Sequence, residues 1–358
     1  MKIAIEEFRN AVTACERISS GKSAPVFRMV LLAASDGQLH TEASDGDYWL
    51  SLTVQCEGDL EACLVPADKL LEAVSRLTAD TLDVSATDKA IVIKGGRSKR
   101  TIQTEPIKGW INAPEVKADP IPMNADRLVQ GFALCQPFAA TDMATKGYLC
   151  GVRVHSDAGS LYFAATDGSG VVEYKAGETD NTLAVTAPTG LAVEAVKLGL
   201  SGDITMAIGT SKIALDWTGG RLIAPVVEGN FVDYRRIIPA ETESTFTANA
   251  DSIGQSVRGV SGFGTKDGNY GAPVAFEASD GEVTLTCRSP NGEAVDVLEC
   301  EANTDVPRFG MSSAYMVKAC KFFADGDMRF GLTGPDKPVK LTSEAHPDRV
   351  AVIMPRRI

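Results

Sequence analysis

The sequence predicts an α+β fold made of three copies of one domain, each with two helices packed on antiparallel sheets. The first observation is an internal repeat: NADRLVQGFALCQPFAATD at 124–142 returns without a gap as NADSIGQSVRGVSGFGTKD at 249–267. The stretch EEFRNAVTACERIS at 6–19 has the same polar opening and helical character. A repeat spaced by 125 residues, from 124 to 249, has the size of a small domain and is too long for a solenoid unit.

The second observation is the spacing inside the copies. Leu39 to Pro66 and Leu161 to Pro188 are both 27 residues apart, and each proline opens a predicted helix, where a first-turn proline is well tolerated. A predicted strand pair follows the helix in every copy, in the third copy after a helix that begins at Ser312. Because each copy has few helices and many short strands, we expect antiparallel sheets.

The first copy gives the order of the elements. Residues 1–5 alternate as a strand, and residues 6–18 form a predicted amphipathic helix. The apolar face of this helix consists of Phe8, Val12, Cys15 and Ile18. The remaining elements of this copy are predicted strands at 27–33, 39–43, 48–55, 82–85, 90–94 and 97–103, and a second helix at 68–77.

Proline-containing stretches at 114–122 and 239–245 separate the copies. They predict domain boundaries that divide the chain into residues 1–118, 119–244 and 245–358. Aspartates recur at turns that we expect to be equivalent in the three copies: Asp45, Asp167 and Asp280. These carboxylates therefore have a structural explanation, and no carboxylate pair for hydrolysis is indicated.

Composition excludes several classes of protein. Hydrophobic residues make up 44% and charged residues 23% of the chain, as in ordinary globular proteins. Since no apolar run reaches the length of a membrane span and the start reads as a strand, we expect a cytoplasmic protein with no membrane contact. The net charge of −12 argues against a surface that wraps nucleic acid everywhere, but it leaves room for a local basic face.

The residue types that hold metals and cofactors lack the necessary spacing. The eight cysteines include no CxxC pair, and the three histidines, at 40, 155 and 346, have no metal-ligand pattern. The glycine-rich stretch GTKDGNYG at 264–271 lacks the Lys-Ser/Thr of a phosphate loop. We therefore predict no metal, no cofactor and no catalytic residues.

Three segments carry a family resemblance that extends over the whole chain: EGNFVDYRRIIP at 228–239, ATDGSG at 165–170 and the terminus VIMPRRI at 352–358. With three repeated domains, the chain resembles the bacterial DNA polymerase III beta subunit, the DNA sliding clamp. The resemblance implies a head-to-tail homodimeric ring of six domains around duplex DNA, with helices lining the hole. It also implies a non-catalytic processivity factor that binds the polymerase catalytic subunit and the clamp loader through their short linear motifs.

The resemblance implies that dispersed basic residues contact DNA without reading its sequence. Weak phosphate contacts that are easily screened by salt suit a protein that slides. The helix residues in question are Arg9, Arg76, Lys197, Arg258 and Lys321, and the residues near turns are Lys22, Lys146 and Tyr148. From the residues alone, a solvated helix face explains the same spacing, because such spacing is common on any exposed helix. The helices also carry glutamates such as Glu6 and Glu72, which makes the basic signal modest.

The resemblance also implies a hydrophobic groove for partner peptides between the second and third predicted domains. The implied groove residues are Leu149, Thr166, Gly168, Val171, Val232, Arg236, Ile237, Tyr315, Val352, Met354, Pro355, Arg357 and Ile358. Aliphatic side chains and a flexible Met suit a peptide with Leu or Phe anchors. Three departures from the family pattern predict an altered motif preference: Ser169-Gly170 in ATDGSGV, Val232 in place of a proline, and Arg356 in place of an apolar residue.

A ring of six domains needs two copies of a chain with three domains, so we expect a dimer with head-to-tail joints. The predicted interface residues are Arg100 and Ile102 on an exposed strand, and Phe263 after the first helix of the third domain. Pairing two exposed edges would remove them from solvent. The alternative is a scaffold or decoy of the same fold that binds partner peptides without encircling DNA.

Overall fold

The computed structural model of the chain describes residues 1–19, 24–87 and 89–358. The α-helices of this described part are α1 (Ile5–Ser19), α2 (Ala67–Ser75), α3 (Ala125–Cys135), α4 (Met143–Lys146), α5 (Thr189–Leu198), α6 (Ala250–Ser261) and α7 (Ser313–Phe322). Short 3-10 helices lie at Pro25–Arg28, Ile107–Gly109, Gln136–Phe138, Gly147–Leu149, Tyr234–Ile237 and Gly268–Tyr270. The predicted mixture of helices and antiparallel strands is confirmed.

The strands are short, and many consecutive strands pair as antiparallel hairpins. The first eight are β1 (Lys2–Ala4), β2 (Met29–Ser35), β3 (Gln38–Ser44), β4 (Trp49–Gln55), β5 (Leu60–Pro66), β6 (Thr81–Thr87), β7 (Ala90–Gly95) and β8 (Ser98–Gln103). The next eight are β9 (Pro120–Asn124), β10 (Gly151–Asp157), β11 (Ser160–Thr166), β12 (Gly170–Glu178), β13 (Ala184–Pro188), β14 (Asp203–Ile208), β15 (Lys212–Trp217) and β16 (Gly220–Pro225). The last are β17 (Ser244–Asn249), β18 (Pro273–Ser279), β19 (Glu282–Ser289), β20 (Gly292–Glu299), β21 (Glu301–Ala302), β22 (Val306–Ser312), β23 (Asp327–Leu332), β24 (Val339–Thr342) and β25 (Arg349–Ile353).

The contacts divide the chain into two compact units. The first unit comprises residues 1–126 and 197–226, and the second unit comprises residues 127–196 and 227–358. The first unit holds the sheets β1-β6-β7-β8 and β5-β2-β3-β4-β16-β15-β14-β9, and the second unit holds the sheets β13-β10-β11-β12-β25-β24-β23-β17-β21 and β20-β19-β18-β22. Each larger sheet joins strands from two predicted domains, through β4 with β16 and β12 with β25. The division at 118/119 and 244/245 stays a prediction.

Helix α1 shows how sequence periodicity positions a core. Phe8, Val12 and Cys15 are fully buried and Ile18 is nearly so, which confirms the predicted apolar face. These side chains pack toward α2 and β3. Glu6 and Glu7 lie in the first turn, where carboxylates are favoured by the helix dipole. The opposite face of α1 therefore remains for solvent.

One strand was missed by the prediction and the start of another was placed wrongly. Strand β5 lies just before the second helix, where no strand was predicted. Its buried residues do not alternate, and its pairing with β2 shifts register between Leu32 and Ala34. The predicted strand at 27–33 begins late, since Phe27 and Arg28 belong to a 3-10 helix and the strand starts at Met29.

The predicted equivalence of Asp280 with Asp45 and Asp167 is also wrong. Asp280 and Gly281 form the two-residue hairpin turn between β18 and β19, with φ of 53° and 82°. Asp36 and Gly37 have the same conformation between β2 and β3, with φ of 52° and 76°. Short polar residues and glycine tolerate this left-handed region, so the hairpin turns, rather than the Asp45 turn, repeat at Asp280.

Candidate functional site

The turn that joins β11 to β12 is built around Asp167. Its Oδ1 accepts hydrogen bonds from the backbone N–H groups of Ser169, at 2.9 Å, and Gly170, at 3.2 Å. The Thr166 hydroxyl donates to the Gly170 carbonyl at 2.7 Å and accepts from the Gly168 N–H at 3.1 Å. Gly168 has a φ of 89°, a conformation that strains other residues. The groove residues Thr166 and Gly168 are therefore fixed by the turn itself.

Tyr315, on α7, is buried against this turn. Its hydroxyl donates to Oδ2 of Asp167. Burial and the neighbouring Asp167 raise the pKa of Tyr315, so the hydroxyl stays protonated as a donor. A Cβ at Gly170 would lie 2.9 Å from Cδ1 of the Tyr315 ring, so the absence of a side chain at Gly170 admits the ring. The Nζ of Lys146 donates to the Asp167 carbonyl at 2.6 Å.

Apolar residues form the floor of the candidate groove in the second unit. Val171 and Val352 are directly paired between β12 and β25 and pack with Tyr234. Leu149 packs in a neighbouring cluster, and Phe231 contacts both clusters. The structure therefore brings together predicted groove residues that lie about 200 positions apart in sequence, from Leu149 to Val352.

A polar network holds the segment 228–239 on this floor. The Tyr234 hydroxyl donates to the Glu173 carboxylate, and its oxygen lies 2.9 Å from Nε2 of His155. Arg235 donates to Glu173 at 2.7 Å, forms an ion pair with Asp157, and stacks on a tyrosine ring. Burial, followed by the nearby guanidinium groups of Arg235 and Arg153, lowers the pKa of His155. This network fixes the backbone from which the groove residues Val232, Arg236 and Ile237 project.

The rim of the candidate groove is exposed. The aliphatic side chains of Val232, Ile237, Met354 and Ile358 are 38% to 59% accessible to solvent. Arg236 is also exposed and pairs with Asp233 at 2.7 Å. These apolar side chains lie on the two segments, 232–237 and 354–358, that follow floor residues of the candidate groove in sequence, which makes them candidates for its rim. Pro355 is half-buried and Arg357 is exposed beside them.

The predicted DNA-contacting residues differ in how freely they reach solvent. Arg9 is 28% exposed, and its guanidinium donates to Glu6 at 2.6 Å and to the Leu77 carbonyl at 3.0 Å, so it also ties α1 to the end of α2. Arg76 is 73% exposed and lies 3.5 Å from Glu72. The remaining exposed members of the set are Tyr148, Lys197, Arg258 and Lys321. Lys22 lies outside the described residues.

The predicted interface residues lie at two strand edges. Arg100 is exposed and Ile102 is half-buried on β8, which ends its sheet. Phe263 is 55% exposed and lies beside Gly292, the first residue of β20, which ends another sheet. Val295 and Val297 on β20 are both 51% exposed and were not predicted from the sequence. Val295 and Val297 stand on either side of Asp296, at every second position, and this spacing is a strand pattern that could have indicated them.

Other features of the described residues bear on chemistry. Among them, no group of three or more His, Cys, Asp or Glu side chains is arranged to hold a metal ion. All eight cysteines are free thiols, and burial raises the pKa of Cys15 to about 12. Within residues 1–19, 24–87 and 89–358, no helix has the length and apolar character to span a membrane.

Two family models match the ends of the chain. Residues 1–112 match the DNA polymerase III beta subunit, N-terminal domain, and residues 235–357 match its C-terminal domain. The chain belongs to the DNA polymerase III beta subunit family. The two models of this family together cover more than half of the sequence, and they include the strand edge β8 and most of the rim of the candidate groove.

Members of the beta subunit family resemble the chain over nearly its whole length. It is 25% identical over 352 residues to the beta sliding clamp of Caulobacter vibrioides, with 93% of each chain covered. It is 23% identical over 376 aligned residues to the beta sliding clamp of Treponema pallidum, with 99% of each covered. Crystal structures of sliding clamps from Pseudomonas aeruginosa and Bartonella birtlesii, both bound to griselimycin, superpose with TM-scores of 0.90 at 19% and 22% identity. They cover 100% of this chain and 99% of theirs, which shows a common fold.

Proposed function

We propose that this chain is a DNA sliding clamp, a non-catalytic processivity subunit that encircles duplex DNA in the cytoplasm and tethers a polymerase to it. The observation that carries this proposal is the match of one chain to both the N-terminal and the C-terminal models of the beta subunit family. Relatives named beta sliding clamp have nearly the same length. The predicted sequence repeat gives the successive domains that a ring requires.

The proposed contact with DNA is electrostatic and independent of sequence. Exposed Lys197, Arg258 and Lys321 on three helices, exposed Arg76 at the end of α2, and Arg9 on α1 would attract phosphates. Lys146 and Tyr148 would add contacts near a turn, and Lys22, which lies outside the described residues, is proposed from the family resemblance alone. Arg9 and Arg76 also lie beside glutamates, which weakens their attraction for phosphate. Weak, dispersed contacts allow a protein to slide, since no single phosphate is held tightly.

The proposed partner site is the candidate groove of the second unit. Its buried floor of Val171, Val352 and Leu149 lies below accessible aliphatic side chains, as an apolar peptide anchor requires. Relatives have been crystallised with griselimycin. We propose that griselimycin and short linear motifs of the polymerase catalytic subunit and the clamp loader take this groove.

The proposed dimer joins two strand edges head to tail. Edge strand β8 offers Ile102, and edge strand β20 offers Val295 and Val297, with Phe263 beside it. Pairing these edges would bury accessible apolar side chains and satisfy two rows of backbone groups. Arg100 gives the joint a polar component, so we expect dissociation at higher salt.

The test of encirclement is retention on closed DNA. The chain is diluted to monomer, reassembled in the presence of a nicked circular duplex, and separated by gel filtration before and after the circle is cut. We expect the chain to elute with the circle and to be lost from the linear product. Equal retention on both, or none on the circle by a chain that still binds griselimycin, would instead indicate the scaffold or decoy of the same fold.

The test of the dimer is sedimentation velocity over a dilution series. We expect Ile102→Asp and Val295→Asp each to give a monomer at concentrations where the unchanged chain is a dimer, because each places a charge in an apolar joint. Griselimycin binding, which depends on one chain, serves as the folding control. A monomeric unchanged chain, or dimers of both variants, would refute the arrangement.

A further inference from the structure

A row of four side chains extends from α7 to the C-terminal tail, which we define as residues 354–358. The Nζ of Lys318 lies 4.9 Å from the ring centroid of Tyr315. The Tyr315 ring stacks on that of Tyr270 at 5.8 Å, with 26° between their planes. The guanidinium carbon of Arg356 lies 4.6 Å from the Tyr270 ring centroid. Cations near aromatic rings are attracted to them, so the row joins the tail to α7.

Tyr270 is a fixed platform within this row. It closes the loop 264–271, where its N–H donates to the Asp267 carbonyl at 2.9 Å and the Asp267 N–H donates to the Gly271 carbonyl at 3.0 Å. The Ser312 hydroxyl donates to the Tyr270 carbonyl. The Tyr270 hydroxyl lies 3.2 Å from the hydroxyl of Ser169, in the Asp167 turn. Both the loop and the groove turn therefore hold the ring that Arg356 contacts.

Arg356 makes three contacts that hold the tail. Its guanidinium forms an ion pair with Asp267 in addition to stacking on Tyr270. Its backbone N–H donates to the Gly310 carbonyl at 2.8 Å. The tail passes so close to Gly310 that a Cβ there would lie 2.2 Å from the Arg356 carbonyl oxygen. On either side of Arg356, Met354 and Ile358 remain exposed.

We propose that Arg356 is a positioning residue of the candidate groove, which pins the tail to the loop 264–271 and so presents Met354, Arg357 and Ile358 to a bound peptide in one conformation. The inference rests on the proposed function of the groove. Chain termini are poorly ordered unless they are held. A pinned tail has already lost the conformational freedom that a free tail would lose on binding, which favours affinity.

The arginine at 356 suits this role better than a lysine would. A guanidinium is planar, so it stacks on a ring while its edge donates to a carboxylate, whereas an ammonium is a compact point charge. Tyr270 and Asp267 provide such a ring and carboxylate from the same loop. We therefore expect Arg356→Lys to retain the attraction to Asp267 and to lose the stacking.

The first measurement is the affinity of fluorescein-labelled griselimycin by fluorescence anisotropy. Loss of one partly exposed ion pair and one cation–π contact predicts a weakening on the order of tenfold for Arg356→Ala. Asp267→Asn should weaken binding less, roughly threefold, because it removes the ion pair alone. Arg356→Lys should fall between Arg356→Ala and the unchanged chain. Arg221→Ala is the matched control, since Arg221 forms a similarly accessible pair with Asp216 in the first unit; it should bind griselimycin normally.

The second measurement reports tail order without a ligand. Carboxypeptidase should release Ile358 faster from Arg356→Ala than from the unchanged chain or Arg221→Ala, while the thermal midpoint stays the same. Unchanged griselimycin affinity, or unchanged release of Ile358, in Arg356→Ala would overturn the inference. Failure of the unchanged chain to bind griselimycin would instead count against the proposed function of the groove. The carboxypeptidase result distinguishes these cases, because it depends on the pin alone.

Discussion

Two turns of the molecule have the same local geometry and different surroundings. In ASDGDYW at 43–49, Oδ1 of Asp45 accepts from the N–H groups two and three residues ahead, at 2.9 and 2.8 Å. In ATDGSGV at 165–171, Asp167 accepts from the equivalent N–H groups at 2.9 and 3.2 Å. In each turn the preceding hydroxyl accepts from the following glycine N–H, and that glycine has a φ near 90°, at 98° and 89°.

The difference begins three residues after the aspartate. Position 48 is a tyrosine, whereas position 170 is a glycine that leaves room for the ring of Tyr315. As a result, Tyr315 donates to Oδ2 of Asp167. Lys146 also donates to the Asp167 carbonyl, a contact with no counterpart among the hydrogen bonds of the Asp45 turn described above. Local sequence sets the shape of the turn in both copies. Only the Asp167 turn becomes part of the candidate groove, because Tyr315 and Lys146 can contact it.

The largest effect on stability should come from a substitution that blocks the approach of Tyr315 to the Asp167 turn. Gly170→Ala places a Cβ against the Tyr315 ring, and overpacking of this kind costs up to about 3 kcal/mol of unfolding free energy. We expect a lower midpoint in urea unfolding followed by far-UV circular dichroism, together with weaker griselimycin binding. Gly147→Ala is the control, because its φ is −50° and its Cβ would meet no atom within 4 Å. Equal midpoints for the two variants would show that Tyr315 yields without cost.

A smaller effect on stability should distinguish substitution of Asp167 from substitution of Asp45. Asp167→Asn keeps the turn acceptor but replaces the oxygen that accepts from Tyr315, which should cost about 1.5 kcal/mol, as for a hydrogen bond to a charged group. Asp45→Asn keeps the same turn bonds and should cost less than about 0.5 kcal/mol. Urea unfolding followed by circular dichroism gives both values.

Tryptophan fluorescence provides an internal reference for the comparison of Asp45→Asn with Asp167→Asn. All three, Trp49, Trp110 and Trp217, lie in the first unit, so their fluorescence reports its unfolding. Asp167→Asn should shift the circular dichroism transition and leave the tryptophan transition in place. If both transitions shift equally, the turns are not energetically separate. In that event the comparison of Asp45 with Asp167 would not measure the contact with Tyr315.

The fold was predictable because its signals are local and repeated. The apolar face of α1 and the spacing from Leu39 to Pro66 depend on neighbouring residues and occur more than once. The family resemblance supplied the groove residues. The contact of Arg356 with Tyr270 was not predictable, since it joins residues 86 positions apart, at 356 and 270, through a loop with no strand or helix pattern.

The exposure of β20 shows a second limit of the sequence. Val295 and Val297 are two residues apart, so a strand places both on one face, and a pair of valines on one strand face usually predicts a buried face. In the single chain these valines are accessible, because α6 packs against the other face of β20, which carries Asp296. Periodicity indicates which residues share a face. It does not indicate whether that face is covered by the same chain or by a second copy.

The smallest effect is the pH dependence of stability that comes from Tyr48, which has no counterpart in the Asp167 turn. Burial, followed by the charges of Asp45 and Asp47, raises the pKa of Tyr48 to about 12, whereas an unfolded tyrosine has a pKa of about 10. The folded state holds this proton more tightly than the unfolded state does. The contribution of protonated Tyr48 to the free energy of unfolding is therefore fully present below pH 10 and is lost as the pH rises through about 12. Tyr48→Phe removes the titrating group. Between pH 9 and pH 11, the free energy of unfolding of this variant should therefore fall by about 1 kcal/mol less than that of the unchanged chain. Tryptophan fluorescence in urea at each pH measures this difference in the first unit. Circular dichroism, which also reports the second unit, should keep an alkaline dependence in Tyr48→Phe, since burial and Asp167 raise the pKa of Tyr315 there. Parallel losses of stability in Tyr48→Phe and the unchanged chain would contradict the assignment to Tyr48.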